Sequence, residues 1–243
     1  MTAPPLTLMA LLRWDRVRHL LPADAGSVVE VGCGQGAVGY RLAARANSYL
    51  GLEPDEQSHA VAAARLARLG RGAVRRGGIE ALGATETFDL LCAFEVIEHI
   101  EDDRGALAAW LRHVRPRGHV LLSTPAYQSR FGVSDETVGH FRRYEPEQLA
   151  ELLTTSGLCD VEVCLYGMPL GYALEAVRNR VLARRAVATG ATMAERSGGS
   201  GRLFQPERPL TATAMVAAVA PFRLVQRAFP RRGVGLVARA RVP

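Results

Sequence analysis

Two rhythms of apolar and polar positions alternate along this chain. Residues 6–21 (LTLMALLRWDRVRHLL) place apolar side chains at helical spacing and stop at Pro22. A short apolar run at 27–31 then predicts a strand, 36–46 a helix, and 48–53 a second strand. Residues 54–69 form an Ala-rich helical pattern closed by Gly70, and 72–77 read as a third strand. Phe88 to Phe94 is an apolar run suited to a strand covered on both faces. A helix over 102–114 and a strand from His119 to Thr124 follow.

Residues 125–144 are polar and irregular, and Glu145 to Ser156 is an amphipathic helix stopped by Gly157. A strand is predicted at 159–165. The rhythm then changes. Residues 170–186 are helical and studded with Arg, 187–209 are a Gly/Ser-rich loop, and 210–229 are helical with a break at Pro221. Gly233 to Val242 reads as a closing strand. Strands alternating with helices imply a mostly parallel sheet with right-handed crossovers.

A chain of 243 residues buries a full core and is most simply one domain with elaborations. All 30 basic residues are Arg, which excludes Schiff-base and general-base lysine chemistry. Cys33, Cys92, Cys159 and Cys164 show no metal or redox spacing and read as reduced thiols, pointing to the cytoplasm. Trp14 and Trp110 sit on apolar helix faces and read as core. Neither a secretory leader nor an apolar run of membrane-spanning length is evident. Charge is uneven: residues 166–243 hold 13 Arg against three acids, a net of +10. Residues 1–165 hold 17 Arg against 21 acids, a net of −4.

The chemistry begins at VVEVGCGQG, residues 28–36. Gly32, Gly34 and Gly36 allow a sharp turn and close approach of backbone to a ligand. Glu30 adds a carboxylate at the strand's carboxyl end, where open α/β sheets bind ligands. That charge suits a cationic ligand group better than a pyrophosphate. The glycines alone also fit the loose dinucleotide fingerprint, so a nicotinamide-dependent oxidoreductase stands beside other readings. Glu53 ends the second strand, where a carboxylate takes ribose hydroxyls, and FDLLCAFEVIEHIEDD at 88–103 ends a buried strand in acids and a His.

Together VVEVGCGQG, GLEPD (51–55), FDLLCAFEVIEHI, HVLLSTPA (119–126) and GHFRRYEPEQLAELLTTSGL (139–158) resemble the class I S-adenosylmethionine-dependent methyltransferases. The similarity is to the small-molecule type, which includes the ubiquinone-biosynthesis O-methyltransferases, and it covers roughly residues 25–165. It implies a Rossmann-like, seven-stranded, mostly parallel sheet with an antiparallel last strand, helices on both faces, and a helical cap inserted before that strand. The core would be 1–165 plus 231–243, and the Arg-rich cap 166–230. The cofactor implied is S-adenosylmethionine.

By the same resemblance, Glu30 would face the cofactor's ammonium, Gly32 and Gly34 would give it room, and Glu53 would hold the ribose. Ile79 and Glu80 would lie along the adenine, and Phe94 and Glu95 would close over the cofactor. Gly78 stands where the family often has an adenine-binding acid. This departure keeps open a non-methylating protein that retains the pocket. A neutral acceptor needs its proton removed, so His99 and His140 are the candidate bases. Each has a second reading: His99 as a packing residue at a helix start, His140 as an ordering residue of its loop.

Arg142, Arg143 and Tyr144 are candidate substrate-binding residues for an anionic or lipid- or carrier-linked acceptor, with a loop anchor as the other reading. No metal is expected. The basic surplus of 166–243 is expected to face a phosphate, carboxylate or carrier group. An interfacial helix at 210–229, giving peripheral membrane contact, is the rival. Nucleic acid is not an expected partner, because the Arg residues are not interleaved with stacking aromatics. The sequence is silent on oligomeric state.

Overall fold

The computed structural model describes residues 3–186 and 209–243, with side chains described up to residue 181 and again from 214. One seven-stranded sheet organises them, in the order β3-β2-β1-β4-β5-β7-β6. The strands are β1 (Ser27–Val31), β2 (Ser48–Glu53), β3 (Ala73–Arg76), β4 (Phe88–Phe94), β5 (Val114–Pro125), β6 (Cys159–Gly167) and β7 (Gly233–Arg241). Pairing is parallel from β3 through β5, and β7 runs antiparallel between β5 and β6. The final strand therefore lies beside β5 as well as β6. The carboxyl ends of β1, β2, β4, β5 and β6 consequently share one edge.

Helices cover both faces. Helix α1 (Leu8–Leu20), α2 (Ala37–Ala43) and α3 (Glu56–Leu69) pack Leu12, Val17, Leu42 and Leu66 against Val28, Leu90, Leu121 and Val237. Helix α4 (Asp103–Leu111) and α6 (Pro146–Thr155) pack Leu107, Trp110, Leu149 and Leu153 against Val29, Leu91, Val120 and Leu122 on the other face. Successive strand residues feed opposite layers, as the two-residue pleat requires. Each fully buried Leu contributes roughly 1.5–3 kcal/mol of transfer free energy. Trp110 is fully buried and Trp14 nearly so.

The polar stretch 125–144 contains a 3-10 turn (Gln128–Arg130) and a short helix, α5 (Val133–Val138). Between β6 and β7 run α7 (Leu170–Ala186) and α8 (Pro209–Ala228). The predicted Gly/Ser loop lies outside the described residues apart from Pro209, which opens α8. Pro221 does not break α8: the helix continues through it, with Val219 and Phe222 packed on the α1 layer. Asp15 of α1, fully buried, accepts from Arg223, Gln226 and Arg227 of α8. Those arginines hold the two helices together rather than facing outward.

Candidate functional site

The glycine turn stands at the carboxyl end of β1. Gly32 and Gly34 have φ of 67° and 54°, the left-handed region that disfavours side chains. A Cβ on Gly32 would lie 2.7 Å from Val96 Cγ2. A Cβ on Gly34 would meet nothing within 4 Å, so the turn opens a space there. Glu53 closes the turn from β2, accepting from Gly34 N at 2.7 Å and from Asp55 N at 2.9 Å. Two backbone hydrogen bonds fix its carboxylate at the rim of that space. Burial raises its pKa despite them.

Glu30 is buried beneath the turn rather than displayed on its rim. It accepts from the Tyr49 hydroxyl at 2.5 Å. Burial raises it to about 8, so it is largely neutral at pH 7 without a cationic partner. Cys33, in the turn itself, is buried and its thiol is pushed well up by that burial, which makes it an inert filler.

Past β3, Ile79 opens a 3-10 turn and packs partly buried against the core. Glu80 is exposed, and its carboxylate folds back onto Gly78 N at 2.7 Å. The N–H that a base edge would use is thus capped by the neighbouring acid.

Phe94 is buried at the end of β4, and Glu95 follows with φ 58°, a left-handed conformation unusual for a residue with a side chain. Glu95 Oε1 receives Arg13 Nη1 at 3.1 Å, Ser123 Oγ at 2.9 Å and the Tyr166 hydroxyl at 3.2 Å. Burial works against its charge, but Arg13 and Ser123 outweigh this and hold Glu95 below the ordinary carboxylate range. Burial pushes the Tyr166 phenol far up, so it stays protonated. Arg13, Ser123 and Tyr166 come from α1, β5 and β6. Sequence reasoning missed them because no local spacing ties them to β4.

Next to this network the structure brings His99 and His140 together, edge to face, with ring centroids 4.5 Å apart. His99 closes a 3-10 turn (Ile97–His99), and burial with His140 beside it lowers it to about 4. His140 follows α5, which ends at Gly139 with φ 79°. Its Nδ1 meets Asp135 Oδ1 at 2.8 Å, and its Nε2 lies 3.9 Å from Glu98 Oε1. Glu98 is fully buried, and neither of its carboxylate oxygens has a hydrogen-bond partner. Each such orphan costs about 1–3 kcal/mol. Burial, with Glu95 nearby, raises its pKa well above normal. Glu98, His99 and His140 each offer a ligand atom, all within 4.8 Å of one another. His140 reaches this cluster from a distant loop, so no local spacing in the chain signals it.

The expected substrate residues are otherwise engaged. Arg143 is buried and locked between Asp135 (Nη2 to Oδ2, 2.7 Å) and Glu175 of α7. Arg142 pairs with Asp103 at 2.6 Å and donates to the Glu101 carbonyl at 2.5 Å. Tyr144 is buried and donates to Asp103 at 2.7 Å. These three anchor the loop to its surroundings, the other reading of GHFRRY, because the acids of α4, α5 and α7 neutralise them before any substrate arrives. A shallow cleft of about 350 Å³ is lined by Arg142, Arg143 and Tyr144 together with Gln148 and Glu151, and includes no residue of the glycine turn.

Residues 29–120 match the family model described as "Methyltransferase domain". A protein named "Probable S-adenosylmethionine-dependent methyltransferase" from Mycolicibacterium smegmatis is 32% identical over 133 residues, covering 54% of this chain and 51% of that protein. The ubiquinone biosynthesis O-methyltransferase of Methylobacterium nodulans is 35% identical over 109 residues, covering 44% of each. The chain thus spans about half the length of the curated relatives it matches. The solved N-methyltransferase NodS from Bradyrhizobium japonicum, bound to S-adenosyl-L-homocysteine, has a TM-score of 0.59 at 17% identity, over 95% of this chain and 86% of that one. The [4+2]-cyclase SpnF has a TM-score of 0.57 at 21% identity, over 95% and 81%. Residues 29–120 of this chain thus match a methyltransferase domain.

Proposed function

We propose that the protein transfers a methyl group from S-adenosylmethionine to an oxygen or nitrogen of a small acceptor. The carrying observation is the space at Gly34, walled by the Glu53 carboxylate and underlain by Glu30. The residues fit the cofactor: Glu53 offers its remaining lone pairs to ribose hydroxyls, and Glu30 supplies a negative charge once an ammonium approaches. The cofactor contributes an electrophilic methyl on a sulfonium. Held there, it would supply that methyl to the acceptor's lone pair, with the C–S bond electrons staying on sulfur. What the chain adds is alignment and exclusion of water, together with a neutral imidazole beside the acceptor.

The anion preference expected from Arg142 and Arg143 loses its support, since Asp103, Asp135 and Glu175 already neutralise both. An uncharged hydroxyl- or amine-bearing acceptor fits better. All four cysteines are free, in keeping with a reducing compartment such as the cytoplasm. Incubation with S-adenosylmethionine and a panel of phenols, catechols and amines tests the reading. S-Adenosylhomocysteine forming with at least one acceptor supports it. Cofactor binding with no turnover on any acceptor favours a non-methylating use of the pocket.

Peripheral contact with lipid is a second reading, favoured by α8. Val216, Leu224 and Phe229 are exposed there beside exposed Arg231 and Arg232. Among the described residues no helix is long and apolar enough to cross a membrane. Co-sedimentation with anionic liposomes, lost in Leu224→Glu/Phe229→Glu, supports this contact, and equal sedimentation of both forms refutes it.

A further inference from the structure

We propose that Tyr49 is a positioning residue of the cofactor site: its hydroxyl holds the Glu30 carboxylate ready for an ammonium, and so makes the site select ligands that carry one. The inference rests on reading the Gly34 space as the S-adenosylmethionine site. Three observations carry it.

First, the two side chains form a pair on one face of the sheet. Glu30 of β1 stands opposite Gly51 of β2, and Tyr49 lies one pleat earlier on β2, opposite Val28. Tyr49 thus reaches Glu30 diagonally across the two strands. Its hydroxyl donates to Glu30 Oε2 at 2.5 Å, and both residues are buried. Among the described residues no other donor reaches that carboxylate. Oε1 is the atom left for a cation.

Second, the surroundings are shaped to admit the phenol. A Cβ on Gly39, inside α2, would lie 2.1 Å from Tyr49 Oη and 3.0 Å from Glu30 Oε2. A Cβ on Gly51 would lie 3.0 Å from Tyr49 Oη and 2.7 Å from Cys33 Sγ. Neither glycine has the left-handed φ that would demand glycine on backbone grounds. Glycine inside a helix or a strand is disfavoured, so what these two positions supply is room for the contact.

Third, no other neighbour can take the place of Tyr49. Arg13 of α1 favours the Glu30 charge but is already engaged by Glu95, and Glu53 of β2 opposes that charge. The thiols of Cys33, in the turn, and Cys92, on β4, are buried and stay protonated. Burial, with Glu30 beside it, pushes the Tyr49 phenol well up, so it remains a donor. A hydrogen bond given to the ionised form favours that form, against the burial that raises Glu30 to about 8. When an ammonium enters, the Glu30 O–H breaks and its proton passes to solvent. The carboxylate then pairs with the ammonium through one oxygen while Tyr49 holds the other.

The test is calorimetry of the full chain with two probes. One is S-adenosylhomocysteine, which carries the ammonium; the other is 5′-methylthioadenosine, an adenosyl thioether without it. Tyr49→Phe should weaken S-adenosylhomocysteine binding at pH 7 about tenfold or more, and leave 5′-methylthioadenosine within about threefold. At pH 8 Glu30 of the wild type is about half ionised, so the variant should release up to about half a proton more on binding S-adenosylhomocysteine. The ligand's own ammonium titrates alike in both proteins. Gly39→Ala, which keeps the hydroxyl and displaces it from Glu30, should reproduce both effects. Unchanged S-adenosylhomocysteine affinity in the two variants overturns the role of Tyr49. So does parallel loss of both probes, which marks a merely structural contact. Failure of the unaltered protein to bind S-adenosylhomocysteine would instead overturn the cofactor reading itself.

Discussion

His99 and His140 meet edge to face, 4.5 Å between ring centroids, although 41 positions apart in the chain. The contact joins the end of β4 to the loop after α5, and Glu98 sits beneath it. Replacing either histidine by Asn should lower kcat by about 10²–10⁴-fold, the range expected for loss of a positioned proton-transfer group. The Kd for S-adenosylmethionine should change little. Because His99 is held near 4, its own protonation should depress the rate only towards pH 4. A pH–rate profile that falls through pH 6.5 in wild type and not in His99→Asn would contradict this.

Glu30 should make cofactor affinity depend on pH. Its free-state pKa of about 8 leaves it mostly protonated at pH 7, and an incoming ammonium favours the ionised form. Binding should therefore release close to one proton at pH 7 and tighten as pH rises towards 8. Calorimetry in buffers of different ionisation enthalpy measures that proton directly.

The same shift acts on stability with the opposite benefit. An acid whose folded pKa is raised binds more protons folded than unfolded between about 4.5 and about 8. Stability from this group is lost as pH climbs through that window. Glu30→Gln should raise the melting temperature above pH 8 and weaken cofactor binding. A variant no more stable than wild type at pH 8.5 would show that the buried charge is compensated elsewhere.

Arg143 should matter for stability and not for acceptor recognition. Its guanidinium is 1% exposed and is shared by Asp135 and Glu175. Removing one partner of such a buried network costs about 3–5 kcal/mol. Arg143→Ala should shift the denaturant midpoint by that amount, whereas KM for any acceptor, measured well below the melting point, should move less than about threefold.

Much of this arrangement was legible in the chain itself. β2 ends at Glu53 as its apolar pattern requires, and VVEVGCGQG placed the turn, because both signals are local. His99 and His140 were each identifiable, but not their contact, which depends on how the loop after α5 folds back over β4. Arg142, Arg143 and Tyr144 read as substrate ligands because their partners, Asp103, Asp135 and Glu175, lie on three other helices. Glu98 was hidden in plain view: its neighbours in FEVIEHI face different surroundings, and only burial without a hydrogen-bond partner sets it apart. Pro221 shows the converse, a local helix-breaking signal overridden by packing on α1.

The Gly34 space offers a check independent of charge. A Val there meets no protein atom at its Cβ, but it projects into the space proposed for the cofactor and must hold φ 54°. Gly34→Val should lose at least tenfold in cofactor affinity and about 1–2 kcal/mol in stability from the left-handed backbone. Cofactor affinity equal to wild type would place the ligand elsewhere.

The central claim is that the Gly34–Glu53 rim holds S-adenosylmethionine. Isothermal titration of the full chain with that cofactor, alongside Glu53→Ala, tests it most directly. The account predicts one site per chain in the wild type and at least tenfold weaker binding in the variant. No binding to the wild type, or equal affinity in Glu53→Ala, would contradict it.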